Sequence, residues 1–329
     1  MIRAVKRQLD TAQARHALVE AFHEGDEARA REWVRRVGPR KVQAMLGAML
    51  EDEDARVRQA AAFGLGEVGG AASVKRLEQQ LAMEEARGDY DAASVIEVIT
   101  DALGRIEDTS ARAGLLHRLQ RLAGPKVDPA DVNTLARALW RRRHPELRPA
   151  VQQALGRIPL PAAASLRGLS LLLKASPEAV RDWAEDPEVP VEQKAEVLTV
   201  LEEELPVAWT VALPAFISVA KAQAPIAVQQ RGDASYYCER LFILLILHKQ
   251  HALRTLPDEV RSTVRAVARI LVEAKSPRCA FQAVAMLEFV GQPEEALLLE
   301  ARRPEDPTFA AVFDEVAQTL RHSPGGEPV

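Results

Sequence analysis

The stretch Gly64-Leu-Gly-Glu-Val-Gly69 fits G-x-G-x-x-G, the pattern whose glycines bring backbone close to a dinucleotide pyrophosphate. Glu84 and Glu85 follow where an acid for the ribose would stand. That chemistry needs a strand ahead of the first glycine, which turns the chain sharply out of it. Positions 54–63 read DARVRQAAAF, and their apolar or small positions continue through the glycines as Val57, Ala60, Ala61, Gly64, Leu65 and Val68. Steps of three and one draw a single face of an α-helix. The strand is missing, so the spacing predicts the end of a helix and no cofactor.

Other constellations are weaker. His16, Glu20 and His23 share a helical face, and Glu20-x-x-His23 is half of a di-iron carboxylate motif, but the second Glu-x-x-His is lacking. His248 and His251 share a face without a third ligand. Arg141-Arg-Arg-His144 is the densest basic run, closing a helix that Asp128 caps and Pro129 opens. Cations there complement the helix dipole, and an acidic partner or nucleic acid is the alternative. No Walker loop, H-E-x-x-H, G-x-S-x-G or C-x-x-C occurs. No catalytic residue, metal ligand or cofactor is expected.

The elements behind these residues repeat. Val95, Val98, Ile99, Ala102, Leu103, Gly104 and Ile106 match the first helix, as do Leu147, Ala150, Val151, Ala154, Leu155, Gly156 and Ile158. Each copy ends in Leu-Gly-x-[Val/Ile], so the shared glycine reads as a small residue that allows close packing or a turn. Spacing is uneven, 38 residues from Leu65 to Leu103 and 52 from Leu103 to Leu155, with room in the longer gap for an extra helix.

With an acidic turn, Val57-Arg58, an Ala-rich helix and Leu-Gly, Glu51–Leu81 resembles a HEAT repeat, and the likeness extends over about residues 26–160. The resemblance implies an all-α fold: an α-solenoid of antiparallel helix pairs, wound as a right-handed superhelix, with an irregular C-terminal half. It implies structural roles for Asp54, Arg58, Gly66, Gly104, Arg148 and Gly156, with Arg58 bridging turns through Asp52 or Asp54. In the family the second helices line the concave face. Helical geometry turns Arg56, Ser94 and Glu146, Gln59, Glu97 and Pro149, Phe63, Asp101 and Gln153, and Glu67, Arg105 and Arg157 away from the core. Protein-binding residues are therefore expected at Arg56, Gln59, Phe63, Glu67, Glu97, Asp101, Arg105, Gln153 and Arg157, with Phe63 either an exposed anchor or packed against a neighbouring repeat.

Composition agrees with a helical chain: 47% apolar, 5% aromatic, net charge −4. Residues 1–160 hold 26 Lys/Arg against 23 Asp/Glu, and the remainder 17 against 24, without the strongly basic footprint of a committed nucleic-acid binder. The N-terminus carries no apolar leader, and Leu241–Leu247, the most apolar run, is too short to span a bilayer. Cys238 and Cys279 read as reduced, buried thiols, and a cytoplasmic location is expected.

Residues 161–322 read as diverged helical repeats or a separate helical domain, with helices over 161–175, 177–185, 190–204, 207–222, 233–252, 257–274, 277–290, 293–302 and 306–321. Pro214 should kink or break its helix, Ala222–Ser235 is the most loop-like stretch, and 323–329 should be a disordered tail. Among HEAT-like enzymes, deoxyhypusine hydroxylases need repeated His-Glu pairs, and only His23-Glu24 occurs. Alkylbase DNA glycosylases need a basic groove, which Trp33, Trp140, Trp183 and Trp209 do not bring, and nothing in the sequence tests a phycobilin-lyase reading. The expected function is a non-enzymatic scaffold or adaptor with a protein partner. The alternative is a nucleic-acid-binding or DNA-repair protein using Arg35, Arg36, Arg40, Lys41 and Arg141–Arg143.

Overall fold

A computed structural model describes residues 11–37, 39–124 and 126–322, apart from the side chains of Thr11, Pro39 and Arg40; the expected tail at 323–329 lies outside the described residues. Among the described residues the chain is all-helical, and it divides into two compact units, Met1–Ala163 and Ala164–Val329.

The first unit holds α1 (Thr11–His23), α2 (Glu27–Val37), α3 (Pro39–Leu50), α4 (Ala55–Val68), α5 (Gly70–Arg87), α6 (Tyr90–Arg105), α7 (Thr109–Arg121), α8 (Pro129–Arg141) and α9 (Leu147–Leu155). Four aspartates start its helices by accepting a backbone N–H in the first turn: Asp54 from Arg56, Asp89 from Ala92, Asp108 from Ser110 and Asp128 from Ala130. Neighbouring helices pair as α3 with α4, α5 with α6 and α7 with α8. The pairs form two rows: α4, α6 and α8 pack one on the next, and α3, α5, α7 and α9 follow behind.

Glycine sets the spacing of the inner row. A Cβ on Gly66 would lie 2.9 Å from the Ala102 methyl, and a Cβ on Gly104 would lie 2.9 Å from that of Ala138. The small residue in Leu-Gly is thus used for close packing. The same contact identifies the third member of the row. It is α8, whose Ala138-Leu139-Trp140 stands where Ala102-Leu103-Gly104 stands in α6. The steps are then 38 and 36 residues, Leu65 to Leu103 to Leu139. The expected third copy, residues 147–158, falls instead in α9, which packs against α7, and Gly156 has nothing closer to a Cβ than a carbonyl of its own turn at 3.5 Å.

The second unit holds α10 (Ala164–Lys174), α11 (Pro177–Glu185), α12 (Val191–Leu201), a 3-10 turn (Val207–Ala212), α13 (Leu213–Gln229), α14 (Asp233–Leu247), α15 (Lys249–Thr255), α16 (Asp258–Leu271), α17 (Pro277–Val290), α18 (Glu295–Ala301) and α19 (Pro307–His322). It too has two rows, α10–α12–α14–α17–α19 and α11–α13–α16. Pro214 breaks its helix as expected: the 3-10 turn ends and α13 begins beside it. The stretch Ala222–Ser235 is not a long loop. α13 runs through Pro225 to Gln229, because the proline faces solvent and only one ladder bond is lost. Val207–Gln229 is long and apolar enough to cross a membrane by length and composition, but α13 packs against α11, α14 and α16 as a core helix does.

His248 and His251 each place Nε2 on a backbone carbonyl, of Glu202 at 3.0 Å and Leu205 at 2.9 Å, tying the end of α14 to the chain after α12. Burial lowers the pKa of His248 and nearby His251 pushes the same way, against the bond to the Glu202 carbonyl. A histidine harder to protonate when folded contributes fully above its unfolded pKa of about 6.5, and the contribution is lost as pH falls through the folded value.

Two outcomes follow. Gly66→Val should destabilise the fold by roughly 1–3 kcal/mol through overpacking against Ala102, lowering the midpoint of a circular-dichroism melt, whereas Gly156→Ala should leave it unchanged or raise it; equal melts for Gly66→Val and wild type would remove the close contact from the account. Urea-unfolding free energy should decline between about pH 7 and pH 5, and less steeply in His248→Gln, which keeps an N–H donor. Identical slopes would exclude His248 as a contributor.

Candidate protein-binding surface

The register places Glu67, Arg105 and Arg141 at equivalent points of α4, α6 and α8, and Phe63 and Asp101 one turn earlier. Each arginine reaches back to the preceding helix. Arg141 pairs with Asp101 at 3.3 Å, and Arg105 lies 5.2 Å from the centre of the Phe63 ring, a cation–π contact at the position equivalent to Asp101. Further charges complete a ladder: Arg105 with Asp101 at 2.6 Å and Glu67 at 3.4 Å, and Arg31 with Glu67 at 3.0 Å and Glu27 at 2.5 Å.

Phe63 is therefore not the exposed anchor considered from the sequence. It is 3% exposed, with Phe22 at 5.2 Å between ring centres and Arg31 and Arg105 over its face. Its position does point away from the core of the two rows, but α1 and α2 cover it. Glu67, Asp101 and Arg105 are half-buried and paired among themselves.

The N-terminal halves of the same helices differ. Arg56 and Glu97 are exposed, Gln59 is half-buried, and their side chains have no hydrogen-bond or ion-pair partner among the described residues. At the start of α6, two turns before Glu97, Tyr90 is 87% exposed. The sequence reading missed Tyr90 because it stands at the first turn of α6, ahead of the matched register; the aspartate before it was the available signal of a helix start.

The remaining predicted positions have structural placements. Asp54 caps α4. Arg58 is 1% exposed and is held by neither the Asp52 nor the Asp54 carboxylate: it donates to the Glu84 carboxylate at 2.7 and 3.3 Å and to the backbone carbonyls of Asp52 and Glu53 at 3.0 and 2.7 Å. Arg148, matched to Arg58 by sequence, is exposed, because α9 opens no inner-row helix. Arg157 donates to the carbonyls of Gln120 and Leu119, closing α7, and Gln153 is exposed on α9, so both stand in the α7–α9 row. A second buried arginine went unnoticed: Arg118 on α7 bonds Thr100 on α6 and Asp131 on α8.

The other motifs disperse. His16 pairs with Glu20 at 3.2 Å, while His23 turns to the Arg56 carbonyl at 2.9 Å. In the basic run Arg142 donates to the Ile106 carbonyl and Arg143 lies over the Trp140 ring at 4.8 Å. Arg36 pairs with Glu32 and lies over Trp33. Among the described residues no three His, Cys, Asp or Glu side chains converge as metal ligands would. No family model matches the chain, and no curated protein matches it.

Removing one member of the Arg58–Glu84 pair strands a buried charge, at about 3–5 kcal/mol. Arg58→Met should therefore cost more in a urea titration than the double change Arg58→Met, Glu84→Met, which leaves neither charge unpaired. Equal losses would mean that the pair is not coupled.

Proposed function

We propose that the chain is a HEAT-like α-solenoid protein that acts without catalysis, as a scaffold or adaptor holding a protein partner on the inner row of its first unit. The observation that carries the reading is the division of that face. Arg56, Gln59, Tyr90 and Glu97 remain available on two helices held at fixed spacing, while the charges beyond them are bonded to one another. A cation, an anion, an amide and an exposed phenol spread over α4 and α6 suit a protein surface, where an aromatic anchors and mixed charges select. A phosphate backbone instead draws on cations along a stripe. Of the cations in that alternative reading, Arg36, Arg141, Arg142 and Arg143 already hold bonds within the fold, and the exposed Arg35 and Lys41 are too few to make such a stripe. Cys238 and Cys279 are buried free thiols, which suits the reducing cytoplasm we propose as the location.

The test is affinity capture from a nuclease-treated native lysate at moderate salt, with the wild-type chain and an Arg56→Glu, Glu97→Arg variant side by side. A stoichiometric protein retained by the wild type and lost by the variant, with unchanged thermal melts, is the expected result. Retention by both would remove this face as the binding surface, and loss of all binding on nuclease treatment would favour nucleic acid.

A further inference from the structure

The ground under α1 and α2 belongs to the same face. Phe63 occupies the position that Asp101 holds on α6, a point that helical geometry turns away from the core of the two rows. An aromatic there needs a cover. Phe22 of α1 and Arg31 of α2 provide it, and Glu27 reaches past α4 to Arg105 of α6 at 3.6 Å.

Beyond the contacts of Phe22 and Arg31 with the Phe63 ring, the bonds holding that cover are polar and partly exposed. α2 buries only Ala30 and Val34, and α1 adds Ala14, Leu18 and Ala21. Besides Arg31 over the Phe63 ring, α2 is linked to the inner row by charge pairs with side chains 17–45% exposed, Arg31–Glu67 and Glu27–Arg105. α1 contributes an Arg15–Asp52 pair and the bond from the His23 ring to the Arg56 carbonyl. Partly exposed pairs contribute roughly 0–1 kcal/mol each, and salt screens them. Between α4, α6 and α8 such charge pairs lie over methyl-to-backbone packing that salt does not weaken. A segment held by few buried apolar contacts opens ahead of the rest.

We propose that the α1–α2 hairpin is a displaceable strap across the inner row, standing in for a partner helix. When it lifts, Phe63 is uncovered between Glu67 and Arg105, beside Arg56, and forms an aromatic anchor flanked by an acid and a base. The partner it fits is an amphipathic protein helix that carries an acid and an arginine one turn apart, as Glu27 and Arg31 are, with an aromatic or long apolar side chain to meet Phe63. The inference that a partner takes this ground rests on the scaffold reading; that the hairpin lifts does not.

Two measurements on the full-length protein test it. In hydrogen exchange followed by mass spectrometry, amides of α1 and α2 should exchange at least about tenfold faster than those of α4 and α6, with the gap widening between about 50 mM and about 1 M salt. A labelled synthetic peptide of residues 11–37 should bind a Glu27→Arg, Arg31→Glu variant at least about tenfold tighter than wild type, whose own strap competes at high effective concentration. Adding Arg105→Glu to that variant should abolish peptide binding while the circular-dichroism melt shows a folded chain. Protection of α1 and α2 equal to that of α4 at both salts, or equal peptide affinity for variant and wild type, overturns the strap. Neither readout involves the captured partner, so a failed capture with successful peptide binding would sink the scaffold reading and leave the strap standing.

Discussion

The first unit depends on how closely α4, α6 and α8 approach one another. At Gly66 against Ala102 and Gly104 against Ala138 there is no space for a further carbon, so the helices meet at methyl-to-backbone distance. That contact fixes separation and register together, because sliding one helix by a turn would bring a larger side chain against backbone. From the register come the other regularities. An arginine on each later helix lands on the earlier helix's Phe63 or Asp101, and the charges at Glu67, Arg105 and Arg141 fall into line.

Two classes of polar contact perform different work on this frame. Arg58 and Arg118 are buried, and each joins several elements; Arg58 alone ties the α3–α4 turn and α5 to α4. Breaking such a pair is expensive because the remaining charge has no water to return to. The surface ladder is the opposite. Its members are partly exposed, and exchanging one ionic partner for another changes little free energy. On the proposed scaffold reading, this division would keep the helices rigid through the buried arginines and leave the exposed ones to exchange partners.

Much of the helical class was legible in the sequence, since periodicity and capping are local. The helices at 177–185 and 277–290 are bounded by prolines at the first turn, and the structure starts and ends them there. What was not legible depends on what lies opposite a residue. Periodicity sets Phe63 off the apolar face of its own helix, yet it is buried, because Phe22 and Arg31 cover it from more than thirty positions upstream in a hairpin with no repeat pattern. The partner of Arg58 is Glu84, from the far half of α5, whereas the acidic turn next to it in sequence offered nearer carboxylates. Ala222–Ser235 read as loop-like, yet α13 continues to Gln229 with the exposed Pro225 inside it, in a helix packed on three sides.

The Leu-Gly motif shows most directly where local reading ends. Residues 154–156, Ala-Leu-Gly, repeat the letters of 102–104, and residues 138–140, Ala-Leu-Trp, do not. Yet the segment with tryptophan continues the inner row, and the segment with glycine joins the outer one. The reason is steric. Within the first unit Gly66 and Gly104 each have a helix of the same row packed on them, α6 and α8 respectively, and the row ends at α8. Trp140 is the matching position on α8, the last helix of that row within the first unit, and its ring carries Arg143. Gly156, with only its own turn nearby, is free of the constraint that gives the motif its meaning. A glycine marks close packing only when a second backbone stands opposite, so it is the position of α8 in the row, and not the recurrence of letters, that sets where the repeat continues.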